Sequence, residues 1–155
     1  MNDAIKYPSH YTVYPVQTIE LARELNFCMG NIVKYVLRAP YKGGGDDCAK
    51  ALKYLEFERD SFRRGLTPRM FDIWKEDCDR LCEYLCRAQG DLLWEDISHI
   101  TTVILLKIRS YLETGAFALL ADLSMSIAEL RHILELRDMS GQIYDGMTGL
   151  PEGAK

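Results

Sequence analysis

Asn31, Lys34 and Arg38 recur at i, i+3 and i+7 within Gly30-Asn31-Ile32-Val33-Lys34-Tyr35-Val36-Leu37-Arg38-Ala39. On a helix that spacing puts all three on one face. Ile32, Val33, Val36 and Leu37 then turn elsewhere, toward a core. Two cations four residues apart repel each other and mildly destabilise a helix, so the pair implies an anionic partner. Lysine supplies a mobile point charge and arginine a planar fork, a combination suited to phosphate oxygens. The alternative is a solvated charged face, partly neutralised by Glu20 or Glu24.

A second face matches the first. Asp47, Lys50 and Tyr54 again fall at i, i+3 and i+7. Lys50 adds a cation, and Tyr54 is placed either to stack on a base or to pack behind the site. Between the two stretches lies Lys42-Gly43-Gly44-Gly45, whose glycines let backbone N–H groups approach an anion closely. No Lys-Ser/Thr follows them, so this is not a P-loop, and a plain flexible connector is an equal reading. His10-Tyr11 offers an imidazole for proton transfer or a phosphate hydrogen bond, or else a histidine that only satisfies a loop.

Other reactive types are less suggestive. Cys78, Cys82 and Cys86 share a helical stripe but lack Cys-x-x-Cys spacing and need a fourth ligand such as His99 or His132. Core thiols without metal are expected, with His99 and His132 structural. Glu20 with Glu24, and Glu95-Asp96, do not reproduce the paired Glu-x-x-Glu and Glu-x-x-Asp motifs of helical nucleotide pyrophosphohydrolases. No Ser-His-Asp arrangement can be argued from spacing.

The elements that must position these residues all show helical periodicity. Pro15 suits the first turn of a helix running to about Asn26. A second helix, from about Asn31 to Ala39, is stopped by Pro40. Asp46 or Asp47 can cap a third that ends at Gly65. Thr67-Pro68 opens a fourth with Met70, Trp74, Cys78, Leu81 and Leu85. A fifth, over 93–112, carries Ile97, Ile100, Ile104 and Ile108. A sixth, over 117–134, carries Leu120, Leu123, Ile127, Leu130 and Leu134 in steps of three and four. No stretch alternates with period two. The expectation is an all-α bundle of five or six helices with short loops: one domain over 1–138, with a helical portion over 66–138, and a loose tail over 139–155.

Charge and composition narrow the class. Of 155 residues, 48% are hydrophobic, enough for one core. The net charge of -4 argues against a general nucleic-acid binder. Residues 34–64 nevertheless hold eight Lys/Arg against five Asp/Glu, while 65–155 hold nine against fifteen, so anion binding belongs to the first half. No run approaches the roughly 20 apolar residues of a membrane span. The N-terminus does not resemble a signal peptide, and five cysteines, an odd number, fit a reducing compartment. Cytoplasmic placement is expected. So is a homo-oligomer, through the 117–134 or the 93–112 helix, since each presents an apolar stripe needing cover.

His10-Tyr11, Ile19-Glu20, Phe27, Gly30-Asn31-x-x-Lys34-Tyr35-x-x-Arg38-Ala39, Lys42, Asp47 and Lys50-Ala51-x-x-Tyr54-Leu55 resemble the signature of a small phage protein family, long catalogued as a domain of unknown function. The resemblance covers residues 8–58. The family's best-known relative is the nucleotide kinase of a T-seven-like coliphage, which phosphorylates deoxynucleoside monophosphates without a P-loop. Pro40 departs from the family's usual glycine or small residue after Arg-Ala. The resemblance implies a nucleoside phosphate ligand and a site in the host cytoplasm. No cofactor is identified; magnesium would enter only with the nucleotide, since no dedicated carboxylate pair is there to hold it. The candidate ligand-binding set is His10, Tyr11, Asn31, Lys34, Tyr35, Arg38, Lys42, Lys50 and Tyr54, with no catalytic residue or metal ligand assigned. The expected function is nucleotide binding, with nucleoside monophosphate kinase activity. Its alternatives are a non-catalytic binder that sequesters a nucleotide or cyclic nucleotide, and a helical adaptor that docks a host protein through helix six.

Overall fold

A computed structural model describes residues 14–66, 72–87, 90 and 92–141. Among these residues six helices account for the regular structure: α1 Thr18–Arg23, α2 Phe27–Arg38, α3 Gly44–Arg63, α4 Asp72–Cys86, α5 Leu92–Thr114 and α6 Ala118–Gly141. Among the described residues there is no strand. The chain is an all-α helical bundle, and among the described residues no helix is long and apolar enough to cross a membrane.

Neighbours follow one another around the bundle in the order α1, α2, α3, α6, α5, α4, and a lighter α1–α4 contact closes the ring. Short connections make α2–α3 and α5–α6 hairpins. In the first, Arg38 at the end of α2 meets Asp47 at the start of α3, while Phe27 at the start of α2 meets Tyr54 further along α3, as antiparallel helices require. Gly115 ends α5 at φ +64, a backbone conformation that side chains with a Cβ resist.

The apolar stripes of α5 and α6 are used inside the chain. Leu120, Leu123, Ile127, Leu130 and Leu134 are all fully buried, as are Ile104, Leu105 and Ile108. α6 lies between α3 and α5, so both neighbours cover its seam. The stripe from which an oligomer interface and an adaptor surface on helix six were expected is thus packed inside the chain.

Local boundaries differ from expectation where tertiary contacts override propensity. Pro15 does not open α1, which begins at Thr18 after an N-cap at Gln17. Tyr14 and Val16 are instead drawn into the core, and the Tyr14 hydroxyl donates to the Leu37 carbonyl at 2.8 Å. α2 starts at Phe27, four residues earlier than expected, because the Asn26 side chain caps it by accepting from the Met29 N–H. α6 continues to Gly141, beyond the expected start of the tail. Thr67-Pro68 and residues 142–155 lie outside the described residues.

The cysteine stripe is not uniformly core. Cys78 is buried, Cys82 half-buried and Cys86 exposed. Each step of four residues overshoots a turn by about 40°, so two steps rotate the stripe about 80° off the buried face. His99 and His132 are both exposed rather than enclosed.

Candidate functional site

α2 and α3 bring their cations to one place. Arg38 Nε lies 3.2 Å from Asp47 Oδ2, and Lys50 Nζ lies 3.7 Å from Asp47 Oδ1. Lys34 Nζ stands 4.2 Å from the centre of the Tyr35 ring, and Lys50 Nζ stands 5.5 Å from the same centre. Three cations from two helices thus gather around one carboxylate and one aromatic ring, a local balance of +2. Both lysines occupy the cation–π distance range.

Asp47 organises this cluster. Its side chain is only 1% exposed, whereas Arg38 is 25% and Lys50 53% exposed. The contact to Arg38 is an ion pair rather than an aligned hydrogen bond. Neither Asp47 carboxylate oxygen, nor Arg38 Nε, has a hydrogen-bond partner among the described residues. A buried carboxylate so placed depends on its cations. Room for it comes from Gly43, where a Cβ would fall 2.1 Å from Asp47 Cγ. Glu20 and Glu24, the carboxylates weighed from sequence as partners for the cations, do not fill that role. Glu24 approaches Arg23 at 3.9 Å instead. Asp47 is the residue that the sequence-derived set omitted, although the spacing Asp47-x-x-Lys50 placed it on the correct face.

The glycine stretch is not a free loop. Gly44 has φ +54 and begins α3, its N–H bonded to the Ala39 carbonyl at 2.8 Å. Gly43 is the N-cap of α3, and no side chain caps it, so neither Asp46 nor Asp47 does so. A Cβ on Gly45 would come 3.1 Å from Glu135 Oε1, and Arg137 donates to the Pro40 carbonyl at 2.6 Å. The last turns of α6 thus clamp the turn between the cationic helices. Lys42 projects from that turn, exposed, with no ion pair among the described residues.

Aromatic rings extend the cluster along α3. Tyr54 stacks on Tyr35 with centres 6.0 Å apart, and its edges meet Phe27 at 5.8 Å and Phe57 at 5.9 Å. Tyr54 therefore packs behind the cations. Phe27 and Phe57 are 74% and 49% exposed, unusual for rings of this size. Asn31 is half-buried and donates to the Phe27 carbonyl within its own helix. His10 and Tyr11 lie outside the described residues. Of the candidate set, Lys34, Tyr35, Arg38, Lys50 and Tyr54 come together, while Asn31 and Lys42 sit at the margins.

Beside the cation-bearing face of α2, a groove of about 330 Å³ runs against α1. Its floor is tight because Gly30 meets α1 directly: a Cβ there would lie 2.5 Å from the Ala22 carbonyl oxygen. Phe27, Asn31 and Lys34 line it from α2, and Ile19 and Arg23 from α1. Lys34 therefore borders both the groove and the cation cluster.

Residues 5–56 are similar to the DUF3310 family, whose description is a protein of unknown function. That match takes in α1, α2 and most of α3, and so the whole cation cluster. No curated protein and no solved structure matches the chain. Among the described residues, no group of three or more His, Cys, Asp or Glu is placed to hold a metal ion.

Proposed function

We propose that the α2–α3 hairpin binds the phosphate of a nucleotide. The observation that carries this reading is the convergence of Lys34, Arg38 and Lys50 around Asp47 and Tyr35. A single buried carboxylate fixes Arg38 and Lys50 yet leaves the group net positive, as an anion site requires. Lys50 and Lys34 keep mobile ammonium groups near the surface, and Arg38 keeps a quarter of its side chain open to an incoming oxygen. Lys42 adds a further exposed cation.

The likeness to the phage family supports the finer reading of a phage nucleoside monophosphate kinase. Such an enzyme moves the γ-phosphoryl group of a nucleoside triphosphate onto a monophosphate, giving two diphosphates. Positioning and charge neutralisation supply most of that catalysis. Magnesium would then arrive with the nucleotide.

One observation favours a non-catalytic binder. The carboxylate nearest the cations, Asp47, is sealed and committed to Arg38 and Lys50, so it is unsuited to accept a proton or hold magnesium.

A thermal-shift screen against nucleoside mono-, di- and triphosphates and cyclic nucleotides tests the binding reading. A rise in Tm with at least one class, lost in Arg38→Ala, is expected. No shift with any class ends the proposal. Incubating a bound monophosphate with a labelled triphosphate and magnesium then separates kinase from binder.

A further inference from the structure

We infer that the groove between α1 and α2 is a slot for the planar base of that nucleotide, with Phe27 as its stacking wall. The inference rests on the phosphate site proposed above and adds to it where the base lies.

Phe27 carries the argument. It occupies the first turn of α2, is 74% exposed, and meets Tyr54 edge to face. Leaving so much of a phenyl ring in water forgoes apolar burial, and a stacking partner would recover it. Ile19, 57% exposed on α1, is a second large apolar side chain on the same groove. Gly30 seats the two helices close together beneath them. The volume of about 330 Å³ lies at the small end of the roughly 300–1,000 Å³ found for ligand sites, which suits one base rather than a dinucleotide.

Charge fixes the orientation. Lys34 lines the groove and also stands over Tyr35 beside Lys50. A base between Ile19 and Phe27 therefore has its 5′-phosphate directed along α2 toward Lys34 and the Arg38–Lys50 pair. Arg23, which also lines the groove and is largely exposed, gives it a second cationic side chain. An aliphatic wall, an aromatic wall and cations leading to one end describe a nucleoside monophosphate better than a peptide or a lipid.

The test compares ligands with and without a base. Wild type, Phe27→Ala, Phe27→Trp and Arg38→Ala proteins are titrated by calorimetry with each of the four deoxynucleoside monophosphates and with 2-deoxyribose 5-phosphate. Base–aromatic stacking of ordinary strength corresponds to a loss of about 10-fold or more on truncation. Phe27→Ala should weaken the best monophosphate by that factor and leave the sugar phosphate unchanged. Phe27→Trp should retain the monophosphate, which a merely structural role would not predict. Arg38→Ala should weaken both ligands alike. Wild-type affinity of Phe27→Ala for every monophosphate overturns the base slot while leaving the phosphate site intact. Undiminished binding by Arg38→Ala overturns the phosphate site, and a loss confined to Phe27→Ala would still uphold the slot. Wild-type protein that binds none of the five ligands refutes both.

Discussion

The Tyr111 hydroxyl donates to Glu58 Oε2 at 2.6 Å, and both residues are fully buried. The other carboxylate oxygen, Oε1, accepts from Asn26 Nδ2 at 3.0 Å. Asn26 is also the N-cap of α2. One carboxylate on α3 thus ties α5 to the entrance of α2, the helix that carries Lys34 and Arg38. Burial, then the hydrogen bond to Glu58 and the Glu58 charge, raise the Tyr111 hydroxyl above its ordinary range, which favours the phenol as a donor.

Removing that donor should be costly. Tyr111→Phe keeps the ring but leaves Glu58 Oε2 buried without its partner, a loss of roughly 1–3 kcal/mol. Urea denaturation of the variant should show a lower midpoint with an unchanged m-value. A midpoint equal to wild type would mean that water or another donor replaces the hydroxyl.

Gly30 predicts a packing defect. Alanine there would bring a Cβ within 2.5 Å of the Ala22 backbone oxygen, and backbone cannot swing aside as a side chain does. α1 must shift, at a cost of about 1–3 kcal/mol. Circular dichroism of Gly30→Ala should keep its helical signature while the thermal midpoint falls. An unchanged midpoint would show that α1 is not held against α2.

Alkaline stability should report Cys48. Burial, with Asp47 beside it, pushes this thiol up to about 12, against an ordinary value near 9 when unfolded. The folded state therefore holds the proton more tightly. Its contribution is complete below about pH 9 and is lost as pH rises toward 12, at up to about 1.4 kcal/mol per pH unit. Denaturation midpoints measured from pH 7.5 to 10 should be flat and then fall, and the fall should be shallower in Cys48→Ala. Identical slopes would place the titration elsewhere.

The face formed by Asn31, Lys34 and Arg38 was legible in the sequence because helical period and the Pro40 stop are local. The Leu120–Leu134 seam was equally legible, but what covers it was not. Whether a stripe meets a second chain or the chain's own α3 and α5 depends on tertiary order, which periodicity does not encode. Asp47 shows the limit most clearly. Its spacing from Lys50 is plain, yet its burial requires Gly43 to leave room for it and α3 to begin at Gly44 rather than at an aspartate cap. The start of α2 had a readable signal, Asn26 as N-cap. The exposure of Phe27 follows from that start.

The Arg38–Asp47 pair yields the prediction that separates structure from function. Spacing alone suggests that Arg38→Ala relieves repulsion with Lys34 and leaves stability level or slightly higher. The geometry reverses that expectation, since Asp47 is sealed and would keep only Lys50, at 3.7 Å, as a partner. Breaking a buried pair from one side costs about 3–5 kcal/mol. With Arg38 partly exposed and Lys50 still present, a loss on the order of 2 kcal/mol is expected. Arg38→Ala should also weaken nucleotide binding roughly 10- to 100-fold, the worth of a charge-assisted hydrogen bond. The double variant Arg38→Ala/Asp47→Ala removes the stranded carboxylate along with its cation. Its stability should recover toward wild type while its binding stays weak. Arg38→Lys should restore part of the stability but not the affinity, because the planar fork is gone. If the double variant regains both stability and affinity, Arg38 serves the fold through Asp47 and contributes nothing to the ligand.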